Sequence, residues 1–154
     1  MRTMNLILEK TNQVPYFTNM QLVMTALGAN ASDFDWFISD IETNYYGEDF
    51  SNEGRWVGGL ELHEFITRNE VQFIWAVFSA VPKGSRPAIH SVPFADGNPS
   101  FWEQGAVKPQ LDGALFEIVC WDSSATILIG IETQAGERFK QAYSDTRLLS
   151  EART

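Results

Sequence analysis

Between Asp33 and Glu53 the chain sets seven carboxylates, Asp33, Asp35, Asp40, Glu42, Glu48, Asp49 and Glu53, with no lysine or arginine among them. Aromatic residues are threaded through the same stretch: Phe34, Trp36, Phe37, Tyr45, Tyr46 and Phe50, with Trp56 just beyond. Carboxylates interleaved with rings are suited to meeting a basic protein surface. The charges speed encounter and fix orientation, and rings that become buried at an interface supply most of the affinity. Asp35, Asp40, Glu42, Glu48 and Asp49 are the candidate steering charges, and Tyr45, Tyr46, Phe50 and Trp56 the candidate anchors. The plainer reading of the same residues is a strand with core aromatics and a solvated acidic flank.

Other chemistry finds less support. Asp40 and Glu42 would share a strand face, as would Asp33 and Asp35, and hard cations need such convergent oxygens. The spacing nevertheless lacks the calcium-loop pattern with its turn glycine, so no metal and no cofactor is expected. Two histidines, His63 and His90, and one cysteine, Cys120, are the remaining candidates for proton transfer or attack. None lies in a signature that would bring base, nucleophile and orienting group together. Cys120 falls in the apolar run Phe116–Trp121 and reads as a core thiol. Gly58-Gly59 precedes a helical pattern, but without a phosphate-binding glycine motif it reads as a turn. No catalytic residue is assigned, and the expectation is a protein that binds rather than transforms.

Charge narrows the partner. The formal net charge is −9, which opposes nucleic-acid phosphates and anionic membrane surfaces. A single cysteine, an N-terminus without an apolar signal region and the lack of a long apolar run lead to the expectation of a cytoplasmic protein.

The elements that would position these residues follow from periodicity. Asn5–Glu9 reads as a strand. Thr18-Asn19-Met20-Gln21 has the form of a capping box with Thr18 as N-cap, and Met20, Val23, Met24 and Leu27 recur at helical spacing before Gly28. Phe34–Glu42 reads as a strand with Trp36 and Ile38 on one face, Phe37 and Ile41 on the other. Residues 43–59 read as a loop or irregular hairpin, and Leu60–Arg68 as a helix ending at Asn69. Val71–Val81 is apolar on both faces, with Val71, Phe73, Trp75 and Val77 opposite Ile74, Ala76, Phe78 and Ala80, so a covered central strand is predicted. Leu115–Asp122 and Ala125–Ile131 form a hairpin, with Ile127, Ile129 and Ile131 on one face. Phe139, Ala142 and Tyr143 mark a last helix, after which Leu148-Leu149 either frays or docks.

Residues 82–113 hold five of the six prolines. Proline lacks a backbone donor and fixes φ, so this stretch is predicted to be an irregular insert. The whole is predicted to be one α+β domain over residues 1–154, with a mixed or mostly antiparallel sheet of about five strands packed by two or three helices.

Three short runs, Asp35-Trp36-Phe37-Ile38, Leu60-Glu61-Leu62 and Ala80-Val81-Pro82-Lys83-Gly84, resemble in order a family of short stand-alone bacterial proteins of unknown function. The match spans about half the chain in pattern and leaves out Ser85–Asp112. In size, acidity and aromatic content the chain is also similar to immunity proteins that neutralise bacterial toxins. That likeness implies a non-enzymatic inhibitor with a basic protein partner. The alternative is a small-molecule binder or minor enzyme, its pocket lying between the sheet and the Pro-rich insert and lined by Trp75, Trp102 and Trp121.

Overall fold

The computed structural model describes residues 2–48, 50–103 and 105–152. In chain order the elements are β1 (Thr3–Glu9), α1 (Met20–Leu27), β2 (Phe34–Thr43), β3 (Arg55–Val57), α2 (Gly59–Arg68), β4 (Phe73–Pro82), β5 (Phe116–Trp121), β6 (Ala125–Glu132), α3 (Thr133–Ala142), β7 (Arg147–Leu148) and a single turn, α4 (Leu149–Ala152). The strands form one antiparallel sheet in the order β3-β2-β4-β5-β6-β1-β7. The α+β expectation holds, but the sheet has seven strands rather than about five. The two short edge strands, β3 and β7, carry too few residues for periodicity to reveal them.

α1, α2 and α3 cover one face of the sheet. Their apolar sides meet Leu6, Leu8, Trp36, Ile38, Phe78, Ile118 and Leu128 in the main core. The Trp36 indole, fully buried, keeps its N–H satisfied by the Ala31 carbonyl at 2.9 Å. The opposite face carries Ile7, Val77, Val119, Ile127 and Ile129, and here the cover comes from Ala95 and Phe101 of the Pro-rich segment and from Leu149 of α4. Leu149 is fully buried, so the C-terminal segment docks.

β4 and β5 are thus buried on both faces, which explains their nearly continuous apolar sequences. The ladder shifts register three times, twice beside a residue with left-handed backbone and once, between Trp75 and Phe73 of β4, without one. Asp40 (φ 54°) lies where β2 shifts register against β4, and Gly130 (φ 72°) lies opposite the shift in β1. Such bulges move the following residue to the other face. Ile41 therefore joins Trp36, and Ile131 leaves Ile127 and Ile129 for the helix-covered core. Phe73 likewise packs on Phe78 instead of sharing a face with Val77.

The α1 cap is one residue later than the capping-box reading places it. Asn19 is the N-cap, its Oδ1 accepting from the Leu22 N–H at 3.2 Å. Thr18 is drawn into the core instead, where its hydroxyl pairs with that of Thr126 at 2.8 Å and its backbone pairs with Phe73. Gly28 ends the helix in the left-handed conformation, its N–H reaching the Met24 and Thr25 carbonyls.

Candidate functional site

The acidic stretch divides into an inward-acting part and an outward-facing part. On the Pro-rich side of the sheet, polar side chains project from β2 and β5 and capture backbone groups of the covering segment. The Asp35 carboxylate, 7% exposed, accepts from Arg86 Nε at 3.0 Å and from the Gly84 N–H at 3.2 Å. Burial works to raise its pKa. The Arg86 hydrogen bond, the Gly84 N–H, the Arg86 charge and the Gly59 N–H outweigh burial and hold it below the ordinary carboxylate value.

Ser39 donates its hydroxyl to the Pro93 carbonyl at 2.8 Å. The bulge at Asp40 turns that carboxylate so that one oxygen accepts from both the Ala95 and Asp96 N–H groups, each at 2.8 Å. Glu117 on β5, fully buried, accepts from the Ser79 hydroxyl and the Gln110 N–H at 2.6 Å and from the Leu111 N–H at 3.0 Å. Its pKa is raised: loss of solvent outweighs the three hydrogen bonds that favour the charge. In its described residues the proline-rich covering segment forms no β-ladder that would use its N–H groups. Its N–H groups at residues 84, 95, 96, 110 and 111 meet these acids.

Two of the expected steering charges, Asp35 and Asp40, are therefore occupied in holding the molecule together. The expected anchors are also largely internal. Phe50 is 7% exposed, stacked on Phe65 at 4.4 Å and edge-on to Phe73 at 5.9 Å, with the Arg55 guanidinium over its other side. Tyr45 is half-buried with its ring edge-on to Phe65 at 5.0 Å. Trp56 is half-buried between Phe37 and the Arg86 guanidinium. These corrections share one cause: rings beside a sheet with two apolar faces gain more by completing a core than by facing water.

What remains outward is compact in sequence. Tyr46 is 95% exposed, and Glu42, Glu48 and Glu53 are exposed beside it in the chain. Asp49 lies outside the described residues. The loop at 44–54 that carries this group is rooted on both sides of Tyr46. Asn44 exchanges hydrogen bonds with Gln72 through its backbone N–H and its side-chain oxygen, and Tyr45 and Phe50 lock onto α2. The result is an exposed ring, Tyr46, in a stretch of chain whose described carboxylates Glu42, Glu48 and Glu53 are also exposed.

Elsewhere the candidate chemistry disperses. Trp75 and Trp102 both pack edge-on against Trp121, at 5.0 and 5.1 Å, with Phe101 against the same ring, so the indoles expected to line a pocket contact one another. His63 is on α2 and His90 is exposed in the Pro-rich segment. Cys120 is fully buried, and burial, only partly offset by a hydrogen bond with the Thr18 side chain, pushes its thiol up to about 12. Asp33 is exposed in the turn before β2 while Asp35 is buried, and the bulge separates Asp40 from Glu42. Among the described residues no group of three or more His, Cys, Asp or Glu side chains is arranged to hold a metal ion, and no helix is long and apolar enough to cross a membrane.

Sequence reasoning passed over Glu117, Ser39 and Arg86. Glu117 left a trace: it is the one charged residue inside Phe116–Trp121, between a partly buried Phe116 and a fully buried Ile118. Comparison of the chain with protein-family models, with curated proteins and with solved structures found no match.

Proposed function

We propose that this chain is a non-enzymatic protein-binding domain that engages a partner with a basic surface through the loop at 44–54 and the adjoining end of β2. The exposure of Tyr46 carries this reading. A tyrosine left 95% exposed, on a loop whose other rings are packed inside, supplies a large rigid contact area with little ordering left to do on binding. Glu42, Glu48 and Glu53 supply the steering field, and the formal net charge of −9 has the same sign. The most specific form of the proposal is an immunity-like inhibitor of a bacterial toxin, acting in the cytoplasm by covering a cationic site.

The test is retention from native lysate on immobilised protein, with captured proteins identified by mass spectrometry. Wild type is compared with Tyr46→Ala and with the double variant Glu42→Lys, Glu48→Lys. A basic protein is expected on wild type, reduced roughly tenfold or more by Tyr46→Ala, the loss expected of a central aromatic contact. The charge-reversed variant loses it too, as does raising the salt. The proposal fails if the captured proteins are the same in identity and amount on all three baits, or if wild type captures nothing beyond bare resin.

A further inference from the structure

A cavity of about 340 Å³ opens on the helix-covered side of the sheet, and no residue of the loop at 44–54 is on its lining. Its lining is mainly apolar: Leu27 at the end of α1 and Ala29 just after it, Phe34 and Phe116 at the starts of β2 and β5, Ile131 near the end of β6, and Ala135 on α3. Phe34 and Phe116 meet edge to face at 5.2 Å. The size falls within the roughly 300–1,000 Å³ of small-molecule pockets, which are typically apolar with a few fixed polar groups.

The polar group of interest is Arg138. Its Nε donates to the Leu27 carbonyl at 2.8 Å, which uses one donor to hold the guanidinium on the cavity wall. Room for it depends on Gly28, where a Cβ would lie 2.5 Å from that same Nε. Arg138 makes no ion pair with a described residue. Its remaining N–H fork is the geometry that binds a carboxylate through two hydrogen bonds. The other charged residue on the lining, Glu132, precedes α3 as its N-cap and makes no ion pair with Arg138. We propose that this cavity binds a small amphipathic carboxylate, its apolar body among Leu27, Phe34, Phe116 and Ile131 and its head on Arg138.

The probe is octanoate, with octanol as the neutral molecule of equal chain length, followed by amide chemical shifts and calorimetry. Octanoate is expected to bind saturably at one site, shifting the amides of residues 27–29 and 130–135, and to bind roughly tenfold more tightly than octanol, the value of a charge-assisted hydrogen bond. Arg138→Gln is expected to bring octanoate down to the octanol level, Arg138→Lys to retain part of the preference, and Ala135→Phe to abolish binding by filling the space. Thermal unfolding establishes that each variant is folded, and the octanoate-to-octanol ratio on wild type needs no variant at all. The proposal is overturned by the absence of saturable shifts, by shifts scattered over the surface, by equal affinity for the two probes, or by undiminished binding to folded Ala135→Phe.

Discussion

Asp35 and Glu117 are both buried carboxylates that hold backbone N–H groups, yet their titrations run in opposite directions. Asp35 has a guanidinium partner, and its pKa is lowered. The stability it contributes is present above its unfolded value and disappears as the pH falls through the lower folded value. Glu117 has only neutral donors, Ser79 and two backbone N–H groups, and desolvation raises its pKa. The native state then binds the proton more tightly than the unfolded chain, so stability falls as the pH rises from the ordinary carboxylate value to the raised one. Glu117→Gln removes that titration but also one acceptor for three donors. The variant is expected to be less stable by about 1–3 kcal/mol at neutral pH, the cost of unsatisfied buried groups. Its stability should also lack the decline that wild type shows with rising pH just above the ordinary carboxylate range. Urea unfolding of both proteins from about pH 4 to about pH 8 measures this; a parallel dependence in the two would remove Glu117 as the source.

The elements show where sequence patterns inform and where they mislead. The helices α1 and α2 and the strands β2, β4, β5 and β6 follow from periodicity within a few residues. The faces of Ile41 and Ile131 do not, because a bulge leaves the residue types unchanged while reversing every side chain after it. Aspartate is among the few non-glycine residues that tolerate left-handed backbone, so Asp40 gave no sign of a break. Gly58-Gly59 reads as a turn, yet the constraint at Gly59 is steric. A Cβ there would lie 2.1 Å from the Phe34 carbonyl oxygen and 2.7 Å from that of Ala31, both backbone atoms that cannot rotate away. Gly59→Ala is expected to cost about 3 kcal/mol through forced displacement of α2 from β2. Gly58→Ala, whose new Cβ would meet only the flexible Arg86 side chain at 3.9 Å, should stay within about 0.5 kcal/mol of wild type. Thermal unfolding of the pair separates tight packing from turn chemistry, and equal losses at the two positions would contradict it.

For the molecule as a whole, the sheet is covered by helices on one side and largely by irregular, proline-rich chain on the other. The second cover is the part that the sequence hides most thoroughly, since its hold depends on residues far apart in the chain: Asp35 with Gly84 and Arg86, Asp40 with Ala95 and Asp96, Glu117 with Gln110 and Leu111. No local pattern distinguishes an acid that will find a distant N–H from one that will face water. The same division leaves Glu42, Glu48 and Glu53 exposed in the stretch of chain that holds Tyr46. Amide hydrogen exchange tests that division directly. The N–H groups of Ala95, Asp96, Gln110 and Leu111 should exchange at least about 100-fold more slowly than unstructured chain, while those of Gly47 and Glu48 on the presented loop exchange close to the unstructured rate. Exchange at the unstructured rate from all four of the first group would mean that the inner carboxylates do not hold the covering segment, and the separation of structural from partner-facing acids would fall with it.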